Sequence, residues 1–377
     1  MRTPITDMFA IDVPILGFSH CRDVVAAVTK AGGMGVLGAV AHSPKQLEID
    51  LDWIEDQVGD RPYGVDLIVP ARYAGSDEGG LTADKIRALI PPQHVEFVQD
   101  ILRRYGVPDL PDDEGPQGDD GIGAIFSATR ADPQLDIALA HRTALVVNAL
   151  GPPTAHMIER VKEEGRRIGA LAGRALHAER HVNAGVDVIV AQGSEAGGHT
   201  GEIGTMVLIP EIVDAVGPIP VLGAGGIGRG RQMAAAMALG AAGVWCGSVW
   251  LTTEEAETHP VVKKKFLAAT SADTIRSRSR TGKPARQLRT AWTDEWENPE
   301  TPMPLGMPIQ PALVDEALRR IDRAAYRPGS GAEQLANYFV GQIVGAMNVS
   351  KPTAQVVFDM IEEFIEATRS LANQLED

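Results

Sequence analysis

The sequence reads as an α/β protein, a (β/α)8 barrel with an insertion after its third strand and a smaller, mostly helical part behind it. Three observations predict this. Short apolar runs bounded by glycine or proline recur eight times, stretches with helical spacing lie between them, and the 377 residues exceed the roughly 250 that such a barrel needs. The strand candidates are Pro14–Gly17, Met34–Gly38, Tyr63–Leu67, Ala144–Asn148, Ile168–Ala172, Val186–Ala191, Ile219–Gly223 and Gly243–Gly247. Helical spacing follows most of them, at Arg22–Ala31, Pro44–Val58, Pro133–Ala140, Thr154–Glu164, Arg174–Ala184, Met206–Ala215 and Arg229–Leu239. Each parallel crossover needs a helix-sized connection, so this alternation demands a parallel sheet covered by helices. Eight units point to closure, with a doubly wound open sheet as the alternative.

Two stretches break the rhythm. Residues 68–131 form the insertion, with a helix expected at His94–Tyr105 and a mobile, solvated loop at Asp109–Asp120, which carries six acids and no base. Behind the barrel, placed at residues 1–250, residues 251–350 are expected to form a helical substrate domain and residues 351–377 a docking helix. In that last helix Val357, Met360, Ile361, Phe364, Ile365, Leu371 and Leu375 fall roughly on one face. Met233–Leu251 is uncharged, but its glycines at 240, 243 and 247 suit a helix end followed by a strand better than a membrane span.

Composition excludes several functions. A net charge of −15 repels phosphate backbones and anionic lipid, so neither nucleic acid nor membrane is an expected partner. The only cysteines, Cys21 and Cys246, sit in apolar surroundings, so no disulfide framework or metal site is expected. Asp7 and Asp12 interrupt the N-terminus, and no apolar stretch there has signal-peptide length; the expected location is the cytoplasm.

The chemistry concentrates at strand ends. Strand six runs into AQGSEAGGHTG (Ala191–Gly201), where glycines admit an anion to backbone N–H groups and His199 is a candidate acid or base; a flexible surface loop is the alternative. Strand seven runs into GAGGIGRG (Gly223–Gly230). Gly223, Gly225 and Gly228 match a dinucleotide fingerprint, but no acid occurs between Asp214 and Glu254 to hold a ribose. A phosphate site formed by the last two strand ends accounts for them better, with the helix start near Arg229 aimed at it and Gly247 and Ser248 completing it.

AQGSEAGGHTG, PVLGAGGIGRGRQMAAAMALGAAGVWCGSVWL and TGKPARQLRTAWTDEW, in this order and spacing, resemble the nitronate monooxygenase family, formerly called 2-nitropropane dioxygenases. Flavin-dependent enoyl-acyl carrier protein reductases share the architecture. The resemblance runs from the start to about Leu67 and from about Asp132 to Trp296. It implies a TIM barrel that binds FMN. Transferred to this chain, it assigns the FMN phosphate to Gly197, Gly225, Gly226, Gly247 and Ser248. Further cofactor contacts fall on Gln192, Gly198, Trp245 and Cys246, and the flavin ring on Leu16, Gly17 and Phe18. His199 becomes the catalytic acid or base. Two departures stand out. PYGVD replaces the usual PFGVN, putting Asp66 where an amide meets the flavin, and an ionised carboxylate only accepts hydrogen bonds. ILGFSHC replaces a Gln-x-x-Met type of sequence, and its His20 is a second candidate catalytic group against the reading of a packed histidine.

The resemblance implies oxidation of an alkyl nitronate by O₂ to a carbonyl compound and nitrite. The alternatives are NAD(P)H-dependent reduction of an enoyl thioester or quinone, and flavin binding without turnover. Lys263–Arg289 holds nine basic residues and one acid, Asp273, which reads either as a solvated helical face or as a docking surface for a thioester carrier. The partner is in each case a small molecule, and the oligomeric state stays open.

Overall fold

A computed structural model of the chain describes residues 1–40, 42–69, 83–111, 128–149 and 151–375. Its strands are β1 (Ile15–Ser19), β2 (Met34–Gly38), β3 (Gly64–Leu67), β4 (Leu145–Asn148), β5 (Arg167–Ala172), β6 (Val188–Gln192), β7 (Gly198–His199), β8 (Val221–Ala224), β9 (Gly243–Cys246), β10 (Thr274–Ser277) and β11 (Ala285–Leu288). All of β1 to β9 except β7 pair in parallel, and β1 meets β9 in the register Leu16 to Trp245, which closes the barrel and rules out the open sheet. The eight expected strands all occur, with ends shifted by two residues at most.

The helices are α1 (Pro4–Phe9), α2 (Arg22–Lys30), α3 (Pro44–Val58), α4 (Ala83–Ala88), α5 (Pro92–Arg104), α6 (Ala128–Ala140), α7 (Ala155–Glu163), α8 (Ala175–Ala184), α9 (Thr205–Val216), α10 (Gly230–Ala238), α11 (Pro260–Ala268), α12 (Ala291–Glu297), α13 (Ile309–Ala325), α14 (Ala332–Leu335) and α15 (Thr353–Asn373). Met233–Leu251 folds as the end of α10, then β9 and a short 3₁₀ turn. Among the described residues no helix is long and apolar enough to cross a membrane.

Side-chain alternation separates the interior from the helix-facing layer. Leu16, Met34, Val36, Leu145, Val147, Val188, Val190, Leu222 and Trp245 gather in one buried cluster inside the barrel, and Ile5, Phe9 and Ile11 from the N-terminal segment join it. Their neighbours Ile15, Ile189, Val221, Val244 and Cys246 belong to an outer cluster with α2, α9 and α10. On β3 the outward residues are Val65 and Leu67, so Asp66 faces inward. Burying each such aliphatic side chain stabilises the fold by about 1.5–3 kcal/mol.

Behind the barrel, α5 of the insertion packs Val98, Ile101 and Leu102 with Phe266, Trp292, Val314 and Ile321 from the later helices. The expected helix at His94–Tyr105 is α5; the loop expected at Asp109–Asp120 lies, from residue 112 on, outside the described residues. This region is less uniformly helical than its sequence suggests, because β10 and β11 form a hairpin whose free side pairs with β7. The basic stretch is therefore partly a hairpin and not one helical face. On α15, Val357 and Met360 are buried, and Ile361 and Phe364 pack on the outer cluster. Ile365, Leu371 and Leu375 instead stand 40%, 58% and 88% exposed, because the helix outruns its bed on the barrel.

Candidate active site

The C-terminal ends of the strands open the barrel at its mouth. Phe18, on the inward phase of β1, lies half-buried there with its ring stacked 5.8 Å from Trp245. His20 stands edge-on to Phe18, and its Nδ1 lies 2.7 Å from the Gly38 carbonyl. Gly38 has no Cβ because one would fall 2.7 Å from that Nδ1 and 2.8 Å from the Phe18 ring. Leu16 lies one layer deeper and is wholly buried in the interior. Gly17 faces outward, where a Cβ would strike Val28 of α2 at 2.7 Å; its smallness serves strand-to-helix packing. The Cys246 side chain also faces the helices, and burial pushes its thiol up to about 12. Leu16, Gly17 and Cys246 therefore offer a ligand in the mouth at most their backbone. Gln192 continues the inward phase of β6, half-buried, with its amide unbonded among the described residues.

Three strand-end loops converge beside the mouth. Gly197 approaches the third loop and a later segment so closely that a Cβ would lie 3.0 Å from Ser248 Oγ and 2.9 Å from Gly341 N. The Gly341 N–H donates to Ser248 Oγ at 2.8 Å, leaving the hydroxyl proton free for a ligand. Gly225 and Gly226 take positive φ values of 102° and 67°, which turns the second loop towards Glu195 of the first. Among the described residues the backbone N–H groups of Gly226, Gly247 and Ser248 carry no hydrogen bond. Gly198, at φ 75°, has open space on its Cβ side. The start of α10 departs from expectation: Gly228 and Arg229 give their N–H groups to Gln232 Oε1, and the Arg229 guanidinium turns outward to Glu363 of α15.

His199 occupies β7, paired with Ala285 of β11. Its Nε2 lies 2.8 Å from Thr281 Oγ1, whose own hydroxyl donates to the Lys283 carbonyl at 3.1 Å. That single proton serves either the Lys283 carbonyl or Nε2, so the contact is compatible with either neutral tautomer of His199. Burial, aided by the Lys283 ammonium, pushes the imidazole down to about 4, so it is neutral at pH 7. At pH 7 such a group carries no extra proton to give, and the same burial makes it a weak base.

Several supporting residues escaped the sequence reading. Both Glu195 carboxylate oxygens accept from Thr205 N–H, at 3.0 and 2.9 Å, which holds a negative charge at the start of α9. Thr205 Oγ1 lies 2.9 Å from both Glu195 Oε2 and the Gly225 carbonyl, tying the first two loops together. The Glu195 carbonyl accepts from Gln342 N–H at 2.9 Å, which brings in a segment far along the chain. Glu195 lies ten residues before Thr205 and the N-cap itself is Gly204, so neither this contact nor the one to Gly341 left a local signal in the sequence.

Six of the nine basic residues in the stretch reach backbone carbonyls. Arg286 donates to Ser194 O, Arg276 to Thr200 O, Arg280 to Asn337 O and Lys265 to Ala336 O. Arg286 and Arg276 fasten the His199 loop to the hairpin. At another corner Cys21, Asp23 and Glu257 bring ligand atoms within 4.8 Å of one another, but Cys21 Sγ donates to Glu255 O and burial pushes its thiol up, away from thiolate.

Comparison with known proteins agrees with this layout. A Mycobacterium tuberculosis protein provisionally named a monooxygenase is 58% identical over 98% of both chains. A Staphylococcus saprophyticus protein named a probable nitronate monooxygenase is 31% identical over 85% of this chain and 87% of its own. Among solved structures, nitroalkane oxidase from Streptomyces ansochromogenes superposes with a TM-score of 0.78 at 26% identity, covering 97% of this chain and 99% of that one. FabK from Thermotoga maritima gives a TM-score of 0.73 at 28% identity, covering 99% of each. The nitronate monooxygenase family model matches residues 2–363, so the chain belongs to that family and is an oxidoreductase.

Proposed function

We propose that the protein is an FMN-dependent nitronate monooxygenase, oxidising an alkyl nitronate with O₂ to a carbonyl compound and nitrite. The residues beside the mouth suit the FMN phosphate: Gly197 lets the first loop close onto Ser248 and Gly341, Ser248 keeps a hydroxyl proton, and Gly226, Gly247 and Ser248 hold N–H groups with no hydrogen bond among the described residues. Phe18, Trp245, Gln192 and Asp66 would border the flavin ring, which when bound supplies the electron transfer.

The observation that carries the nitronate reading is the state of His199. Its imidazole is neutral at pH 7, with Nε2 2.8 Å from Thr281 Oγ1. Reduction of an enoyl thioester must deliver a proton to carbon, and a histidine pushed down to about 4 is a poor source. A nitronate arrives already deprotonated, so its oxidation asks neither a proton nor a strong base of this residue, and a neutral imidazole suits it. Arg276, Arg280 and Arg286, bound to carbonyls, also leave less free charge for docking a carrier protein.

The test is anaerobic mixing of FMN-loaded protein with an alkyl nitronate or with NADPH. Bleaching of the flavin by the nitronate alone is expected. Bleaching by NADPH, followed by reoxidation with an enoyl thioester or quinone, would replace this reading with the reductase.

A further inference from the structure

Asp66 is 4% exposed and occupies the inward phase near the C-terminal end of β3, between Gly38 of β2 and Val147 of β4. Among the described residues its carboxyl group has no hydrogen-bond partner and faces no charge, and burial alone raises its pKa well above the ordinary carboxylate value. Among the described residues the groups around it cannot compensate an anion. Gly38 and Val147 carry no charge, and the interior residues below are apolar. His20, after β1, leans on the Gly38 carbonyl and is kept neutral by burial. His42, beyond β2, belongs to Asp50 of α3. An ionised carboxylate at this position would bear its full desolvation cost. An unpaired polar group nine-tenths buried at a mouth is one that a ligand completes.

We infer that Asp66 works as a neutral carboxylic acid that donates a hydrogen bond to an acceptor atom of the flavin seated across the barrel mouth. This rests on the FMN reading above and deepens it. It reverses the polarity that the aspartate suggested in the sequence: protonated, Asp66 supplies the donor that an amide supplies through its N–H. The carboxyl group of a buried aspartate can be held neutral in this way by an apolar site and used as a donor.

The experiment compares wild-type protein with Asp66→Asn and Asp66→Leu by FMN titration and by infrared difference spectroscopy at pH 7. Asn keeps a neutral donor and should bind FMN within about threefold of wild type. Leu is similar in size but donates nothing, and should bind about tenfold more weakly, the scale of one hydrogen bond. The wild type minus Asp66→Asn spectrum should contain the carbonyl band of a protonated carboxylic acid. An ionised-carboxylate band at pH 7 would overturn the inference, and so would equal FMN affinity for wild type and Asp66→Leu. Circular dichroism checks that Asp66→Leu folds; if it does not, an Asp66→Asn affinity more than tenfold below wild type overturns the inference and a matched one supports it. Failure of the wild type itself to bind FMN would remove the parent reading, an outcome distinct from the other three.

Discussion

The depressed pKa of His199 has a consequence for stability that can be worked through. Unfolded, the imidazole takes a proton below about 6.5; folded, it does so only below about 4. Between those values the unfolded chain binds more protons, so the contribution of this residue to stability rises with pH. It is fully present above about 6.5 and is lost as pH falls towards 4. At pH 5 the loss is about 2 kcal/mol and at pH 7 only a few tenths, taking about 1.4 kcal/mol per pKa unit. The perturbation is His199→Gln, which removes the titration and leaves a polar side chain near Thr281. Urea unfolding of both proteins at pH 7 and pH 5 measures the change in their difference, which cancels the other titrating groups. The variant should gain about 2 kcal/mol relative to wild type on going from pH 7 to pH 5. The same state of the imidazole fixes the kinetics: with an alkyl nitronate, kcat/KM of the wild type should hold down to about pH 5. A stability difference that ignores pH, together with an acid limb of kcat/KM near 6.5, would refute the assignment of a dry, neutral histidine.

Other substitutions separate the supporting parts. Gly225→Ala should cost several kcal/mol and abolish FMN binding, because a Cβ at φ 102° meets Thr205 Oγ1 at 2.7 Å and the Gly193 carbonyl at 3.0 Å. Gly226→Ala, at φ 67° and 3.1 Å from the Glu195 side chain, should cost only about 1–2 kcal/mol; thermal unfolding and FMN titration rank the two. Thr205→Val takes the hydroxyl from Glu195 and from the Gly225 carbonyl and should cost about 2–3 kcal/mol, with FMN affinity falling as the two loops part. Lys283→Met removes a positive neighbour of His199, so the acid limb of kcat/KM should move upward; an unmoved limb would mean that the ammonium is screened at the site.

How far the sequence reveals this molecule depends on how local each cause is. The barrel is legible because strand, helix and turn signals lie within a few residues of one another, and the glycine loops are legible because positive φ and close approach leave their mark on residue type. The phase of a short strand is harder: Leu16 and Phe18 point into the barrel and Gly17 away from it, and only the paired register tells which of them reaches the mouth. β7 was hidden because its two residues sit inside a glycine loop and pair with a strand far along the chain. The basic stretch misled for a related reason. A run of Lys and Arg looks the same whether its cations meet solvent or backbone carbonyls, since the acceptors lie in other segments. Here Arg276 and Arg286 reach Thr200 and Ser194, on either side of His199 in the chain. Their charge therefore works by holding the loop that carries a neutral base, and half-buried contacts of this kind are weakly screened by salt. Raised ionic strength should accordingly leave kcat/KM for a small nitronate nearly unchanged, whereas a carrier-bound substrate steered by free cations would lose most of its rate as salt rises.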